Sequence, residues 1–554
     1  MKRVILFFIL IEIQLCTLTN FAQVSQQEWI SIYNGSGNSY DEAHSIAVDG
    51  LGNVYVTGAS KTGIAAGSED FATIKYDAAG VEQWISRYNG PGNGYDEAFD
   101  IVVDDSGNVY VTGFSLGTGT GYDYATVKYN SAGVQQWASR YNGTGNNEDK
   151  AASLVIDYIG NVYVTGYSRN GSTTATQDYA TVKYNTYGVE QWAVRYEGPG
   201  NELDQASSIA VDNLGNVYVT GWSTLSGTNW DYATIKYNSS GVQQWVERYN
   251  GAGNGNDLAH SIAVNDSGNV YVTGESWGGG THFDYATIKY DSLGSEKWVS
   301  RYNGSGNNED RAYDLAIDGL GNVYITGYSY GAGLTYLDYA TVKYNTLGFE
   351  QWVARYNGPG DNWDQAYSIA VDGSGNVYVT GLSYGSGTAR DYATIKYNSI
   401  GSEQWVQRYN GPGMDTDLAN SLAIDGSDNV YVTGRSIGDG ANYDYATIKY
   451  SQTPTNVYQA TTDLPENYSL LQNYPNPFNP STKISFVIPS GARNLVTLKV
   501  FDLLGNEIAT LVDEYKDAGS YEVEFDARNH SSGIYLYKLK AGNFIQTRKM
   551  IYLK

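Results

Sequence analysis

The chain runs to 554 residues, enough for more than one domain with its own core. It carries 59 Asp and Glu against 34 Lys and Arg, a formal net charge of −25 at pH 7. That excess, concentrated in residues 28 to 450, repels polyanions and excludes nucleic acid and anionic membrane surfaces as partners.

Residues 1 to 23 read as a secretory signal peptide. Lys2 and Arg3 precede an apolar run to about Leu18, and Ala22 is the small residue near a cleavage point. Glu12 and Gln14 interrupt a run already short for a membrane span, so the mature chain is expected to have no transmembrane segment. The one cysteine, Cys16, falls in this segment, and Ile13, Gln14 and Leu15 before it lack the small residue of a lipoprotein signal. The mature chain then has no disulfide, thiolate metal site or cysteine nucleophile.

From residue 28 to 450 one unit recurs eight times. The motif GNVYVTG, or a near copy, has its asparagine at 53, 108, 161, 216, 269, 322, 376 and 429. In step with it recur SIAVD (45 to 49), DYATIKY (231 to 237) and EQWISRYNG (82 to 90). Each is rich in Val, Ile, Tyr and Thr, alternates in polarity and is bounded by Gly, Asn, Asp or Ser, which predicts four strands per unit. The DGLGN and DDSGN links suit tight hairpins. With no helical period anywhere, the pattern predicts a β-propeller. The repeats begin with a lone fourth strand, EWISIYNG (28 to 35), and end at Tyr450 without one. If the strand of Trp29 completes the last unit, eight blades close on themselves and no sheet edge is left bare. The tryptophans 29, 84, 137, 192, 245, 298, 352 and 405 repeat in step and are expected to pack between blades.

The unit resembles the bacterial β-propeller repeat often described as a seven-bladed-propeller repeat, from which this chain departs in having eight copies. The resemblance implies architecture and little chemistry.

After a linker at 451 to 466, residues 467 to 554 read as a small antiparallel β-sandwich. Its opening NYPNPFNP supplies Tyr474, Pro475, Asn476, Pro477 and Phe478. Later come Gly533 and Tyr535, and a basic ending that includes Lys549. These residues resemble the C-terminal type A sorting domain of the type IX secretion system. The resemblance implies recognition by that translocon, export across the outer membrane, and a location secreted from or on the outer surface of a Gram-negative bacterium.

Strand order puts the first-to-second and third-to-fourth links of each unit on one face, short and nearly constant, and every variable loop on the other. Four tryptophans outside the repeat, Trp222, Trp230, Trp277 and Trp363, fall on the variable face, with His282 and Phe283 beside Trp277. They are the expected ligand-binding residues, suited to stacking sugar rings or gripping a peptide. At each blade boundary a glycine-rich run such as YNGPGNGYDEA ends on an aspartate: Asp41, Asp96, Asp149, Asp204, Asp257, Asp310, Asp364 and Asp417. Their regularity predicts hinges whose carboxylates satisfy backbone donors. Lys75, Arg87 and their equivalents are expected to pair with acidic neighbours or shield strand edges. His44 and His260 take the same loop position in two repeats, and no residue stands out as catalytic or as a metal ligand. No cofactor is predicted, although the acidic loops leave room for a calcium ion.

Together these readings predict an all-β protein: an eight-bladed β-propeller closed by its N-terminal strand, followed by a small β-sandwich. Its expected role is a secreted or cell-surface binding or adhesion module for extracellular glycan or protein. A glycan-active hydrolase or lyase on the same scaffold, and a structural surface component without a ligand, are the two alternatives.

Overall fold

The structure is a computed structural model describing residues 23–454 and 468–554, apart from 64–66, 171–175, 201, 226–228, 332–335, 414, 439–441, 474, 490–493, 517–518 and 543. The expected signal peptide apart from Gln23, most of the expected linker and Tyr474 lie outside the described residues. Two compact units divide at Pro454 and Thr455. Among the described residues every regular element is a strand.

The first unit contains eight four-stranded antiparallel sheets. Sheet 1 runs Asp41–Val48, Val54–Lys61, Glu69–Tyr76 and Glu82–Tyr88, strands a to d in spatial order. Sheets 2 to 7 repeat this order through residue 409. Sheet 8 takes strands a to c from Leu418–Ile424, Val430–Ile437 and Tyr443–Pro454. Its strand d is Gln23–Tyr33 from the far end of the unit. Trp29 lies opposite Lys449 there, as Trp84 lies opposite Lys75 in sheet 1.

Strand b is buried along nearly its whole length, because sheets cover it on both faces, while strand d begins with exposed Glu or Gln. The contact between sheets repeats. Trp84 of sheet 1 lies 6.2 Å from Tyr55 in its own sheet and 6.2 Å from Tyr129 in sheet 2, and its Nε1 donates to Ser131 O (3.1 Å). Gly133 beneath that ring has φ +78°, and a Cβ there would meet the indole at 2.6 Å, so only glycine lets the two sheets close. Further in, Tyr124 Oη donates to Ala180 O (3.1 Å), and tyrosines of the following sheets repeat the bond. Sheet 8 makes both contacts with sheet 1: Trp29 lies 6.1 Å from Tyr76, and Tyr445 Oη donates to Ala72 O (3.3 Å).

Charged side chains in the interfaces follow the same rule. Arg140 of strand d donates to Ser115 Oγ (2.7 Å), Asp123 Oδ2 (2.8 Å) and, in the preceding sheet, Tyr88 Oη (3.2 Å). The lysines of strand c differ from the expected acidic pairing. Lys75 Nζ lies 5.1 Å from the Tyr55 ring and donates to Ser131 O (3.5 Å), because the turn of the next sheet presents its carbonyl there. In sheet 8 Ile32 stands where the other sheets have the arginine, and Asp444 has no such cation.

The second unit packs two sheets face to face. One joins Ser469–Leu470, Ser481–Ile488 and Gly519–Asp526; the other joins Glu507–Lys516, Asn494–Phe501, Gly533–Ala541 and Phe544–Tyr552. Ile484 and Phe486 from the first meet Val496, Leu498, Tyr537 and Met550 from the second in one core.

Asp149, Asp310 and Asp364, and the arginine-less Asp444, have carboxyls pushed up to about 6, chiefly by burial. For Asp149 and Asp310 a carboxylate of the preceding sheet adds to the rise. A raised folded-state value means stability that is full below the unfolded carboxyl value and lost as pH climbs through about 6. Calorimetry of the repeat unit is therefore expected to show a higher unfolding temperature near pH 5 than near pH 7.5. The paired variant Asp149→Asn, Asp310→Asn should flatten that slope, and an unfolding temperature that rises with pH across this window would contradict the assignment.

Candidate functional site

Strand a starts at a buried aspartate in sheets 1 to 7, and Asp417 directly precedes it in sheet 8. Asp41 Oδ2 accepts the Gly35 N–H (2.7 Å) and Oδ1 the Lys61 N–H (3.0 Å), which ties the incoming loop to the end of strand b. Asp96, Asp204, Asp257, Asp364 and Asp417 accept the equivalent pairs. Asp149 and Asp310 accept the glycine N–H, at 2.7 Å in both cases. All eight are fully buried. A Cβ on Gly35 would lie 2.4 Å from Ser60 Oγ and 2.7 Å from Asp41 Oδ1, so the loop must be glycine where it crosses the carboxylate. Among the described residues no three His, Cys, Asp or Glu side chains are grouped to hold a metal.

Three residues beyond each aspartate, the pairing of strand a with strand b slips by one residue. In sheet 1 the shift lies between Ala43 and Ser45 and leaves His44 as the extra residue of a β-bulge. The same bulge holds Phe99, Ala152, Ser207, His260, Tyr313, Tyr367 and Asn420. A bulge frees one residue from the ladder and re-aims its side chain, which releases this column from the repeat's constraints. His44 and His260 are thus strand residues and not loop residues. Bulge residues His44, Phe99, Ala152, Tyr367 and Asn420, with Lys150, Tyr167 and Gln205, line a cavity of about 670 Å³.

The walls of that cavity are cross-braced. His44 Nε2 lies 2.9 Å from Glu97 Oε1, and Tyr95 Oη donates to Glu97 Oε2 (2.7 Å). Glu42 accepts from Arg435 Nη1 (2.8 Å) and Asn420 Nδ2 (3.2 Å) across the junction of sheets 8 and 1. Burial pushes the Glu42 carboxyl up, but the His44 and Arg435 charges and the Tyr40 hydroxyl hold it below its usual range. Lys150 Nζ lies 4.3 Å from the Phe114 ring and 2.7 Å from Glu148, whose carboxyl burial raises and Lys150 and Arg169 draw down further. Aromatic contacts continue the wall: His44 to Phe99 at 5.4 Å, Phe99 to Phe114 at 5.6 Å, His260 to Tyr313 at 5.6 Å and Tyr313 to Tyr367 at 5.5 Å.

One residue past the bulge, six repeats carry serine and two carry aspartate, Asp100 and Asp314, four sheets apart. Asp100 accepts from Ser45 Oγ (3.2 Å) in sheet 1, Ile101 N (2.9 Å) in its own strand, and Ser153 Oγ (3.1 Å) and Leu154 N (2.9 Å) in sheet 3. Asp314 accepts likewise from Ser261 Oγ (3.0 Å), Leu315 N (2.8 Å) and Ile369 N (3.0 Å). Burial raises both carboxyls. Neither these braces nor the bulge column shows in any one repeat read alone. Stacking the eight repeats column by column is the signal that would have found them.

The tryptophans expected to bind ligand lie at the same end of the sheets, on loops and strand ends. Trp222 and Trp230 of sheet 4 stack at 4.6 Å, tilted by 36°. In sheet 5, Trp277 meets Phe283 edge-on at 5.2 Å and His282 at 5.4 Å, and His282 holds the left-handed backbone angle φ +58°. Trp363, 42% exposed, has the Arg390 guanidinium 6.0 Å from its ring. Among the described residues no ring contact joins these three groups.

In the second unit the Asn-Pro-Phe segment is part of the core. Asn476 Oδ1 accepts the Ile551 N–H (2.8 Å), and Phe478 exchanges backbone bonds with Ile551 and Leu553 (3.0 Å each) while stacking on Tyr552 at 5.2 Å. Asn473 Nδ2 donates to Pro475 O (3.0 Å) and Tyr535 Oη to Ser531 O (2.7 Å). Gly533 opens strand Gly533–Ala541, and Gln472 Nε2 donates to Lys549 O (2.7 Å).

Comparison with known families matches residues 472–553 to the secretion system C-terminal sorting domain. Residues 28–63, 191–225, 298–335, 351–387 and 404–441 match the β-propeller repeat. The chain therefore carries β-propeller repeats and a type IX sorting domain, and is exported by type IX secretion to the cell surface or beyond. An uncharacterized WD repeat-containing protein of Acanthamoeba polyphaga mimivirus is 23% identical over 373 residues, 56% of this chain; the chain spans only 25% of that protein's length. Among solved structures, PorZ, a surface component of the type IX secretion system of Porphyromonas gingivalis, is 11% identical, with 92% of this chain and 81% of PorZ covered and a TM-score of 0.30. The α-L-arabinanase of Penicillium chrysogenum is 12% identical, with 55% and 93% covered and a TM-score of 0.35. These likenesses are too distant to transfer a site.

Replacing Asp100 by alanine strands the Leu154 and Ile101 N–H groups and is expected to cost about 2–3 kcal/mol in chemical denaturation. Asp100→Ser, which installs the residue of six sister repeats, should cost less than half as much. Equal losses for both would show that Asp100 is not a brace.

Proposed function

We propose that this exported β-propeller-repeat protein is an eight-bladed ring, closed by its N-terminal strand, that binds an extracellular glycan at the bulge-lined cavity. In this reading the eight inner strands surround one axis, and the cavity is the mouth of the channel between them. The observation that carries the reading is the bulge column. In a chain whose repeats are otherwise close copies, the residue released from the ladder in each inner strand is His, Phe, Ala, Ser, His, Tyr, Tyr or Asn. A lining of aromatic rings with amide, hydroxyl and imidazole groups suits the apolar faces and hydroxyls of sugar rings. Trp222, Trp230, Trp277, His282, Phe283 and Trp363 extend the platform outward, so a chain longer than one sugar would lie from mouth to rim.

The test is a glycan array probed with the full chain, followed by calorimetry on the hits. Phe99→Ala and Trp230→Ala are each expected to weaken capture by about tenfold, with the unfolding temperature of Trp230→Ala unchanged. Cleavage of a captured polysaccharide would replace this reading by that of a glycan-active hydrolase or lyase. An array blank for glycans would leave the binding reading without its ligand class and overturn it.

A further inference from the structure

The short a–b and c–d turns form the end of the sheets opposite the cavity and its rim. At their tips stand large apolar side chains open to solvent: Leu51 (83% exposed), Leu214 (81%), Leu293 (80%) and Leu320 (81%), with Tyr187 and Ile400. The turns do not need them. Each a–b turn is closed by its first side chain, Asp49 Oδ1 accepting the Leu51 N–H (2.9 Å) and Asp318 Oδ1 the Leu320 N–H (3.0 Å). Sister turns place serine at the same tip and close identically, as with Ser106 on Asp104 and Ser374 on Asp372 (2.9 Å each). Several large apolar tips exposed at one end of the sheets, at turn positions where serine folds as well, fit a surface that is covered in use.

The charge on these turns says by what. Exposed Glu82, Glu190, Glu350, Asp105 and Asp266 stand among the apolar tips, whereas Lys297, at the start of a strand d, is paired to Asp291 at 2.5 Å, and strand-c lysines such as Lys75 are half-buried over a tyrosine ring. Two copies meeting through this face would set like carboxylates against each other. An anionic lipid surface would be repelled. We propose that this face docks a partner protein surface that is itself apolar and basic, independently of what the cavity binds.

The test uses the full chain and a synthetic amphipathic Leu/Lys peptide, with a Ser/Lys peptide of equal charge as the comparison. The wild type is expected to bind the Leu/Lys peptide at least about tenfold more tightly than the Ser/Lys peptide, and more weakly as salt rises. Combining Leu51→Ser, Leu214→Ser, Leu293→Ser and Leu320→Ser should abolish that preference without changing the unfolding temperature. The single variants Leu51→Ser and Leu320→Ser, each expected to reduce it, serve if the fourfold variant is unstable. Undiminished Leu/Lys binding by these variants would overturn the proposal. So would a wild-type dimer, or binding to phosphatidylcholine–phosphatidylglycerol vesicles, that the serine substitutions remove.

Discussion

The repeat unit depends on one contact: the strand-d tryptophan reaching over a left-handed glycine into the turn of the next sheet. A four-stranded sheet with strands b and c apolar on both faces cannot stand alone and gains its stability from the neighbours on each side. Trp84 makes that contact from sheet 1 to sheet 2, and Trp29 makes it from sheet 8 to sheet 1. Trp405 shows its limit. Strand c of sheet 8 runs on to Pro454, so it turns back into no c–d turn there, and among the described residues the Trp405 Nε1 has no hydrogen-bond partner. Because the tryptophan and the two tyrosines beside it recur in every copy, and the glycine in every copy but that of Trp405, change is confined to what they do not touch. That leaves the b–c loops, the turn tips and the bulge.

Electrostatics impose the second constraint. Each interface buries the boundary aspartate of one sheet near the strand-c aspartate of the preceding one, with an arginine serving the latter everywhere but at Asp444. Two carboxylates to one guanidinium leaves uncompensated negative charge in a dry place, and the chain tolerates it because backbone N–H groups solvate the boundary carboxylate. The same residues that let the chain turn from the edge of one sheet to the inner strand of the next therefore make the scaffold more stable in mild acid. The cavity is held apart from this strain, since the charges beside it, Glu42, Glu97 and Glu148, each have cationic or imidazole partners of their own.

Much of this was legible in the sequence, and what was not has a physical reason. Period-2 alternation within a 53 to 55 residue repeat exposes strands, their number per sheet and the register of the last sheet's missing strand. Turn residues such as Asp49 and Gly52 announce their hairpins, and the Asn-Pro-Phe run announces the tail. A bulge, by contrast, is a mismatch between two strands and leaves no mark on the alternation of either, so His44 read as a loop residue. Asp100 was hidden for a related reason: DIVVD looks like one more copy of SIAVD until its first column is compared across all eight. Lys75 read as pairing with acidic neighbours or shielding a strand edge; a tyrosine ring and a turn carbonyl surround it. The rim tryptophans stood out by breaking the repeat, but the stacking of Trp222 on Trp230 depends on how a particular loop closes.

The proposed ring rests on sheet 8 being completed by the N-terminal strand of the same molecule. Cys16 is the one cysteine of the chain, so cysteines placed at Gln26 and Ser451, which face each other in that strand pair, report the pairing directly. The account predicts that Gln26→Cys, Ser451→Cys oxidises to a monomer with one internal disulfide that unfolds at a higher temperature than its reduced form. Disulfide-linked dimers and longer chains, or free thiols after oxidation of the folded protein, would contradict it.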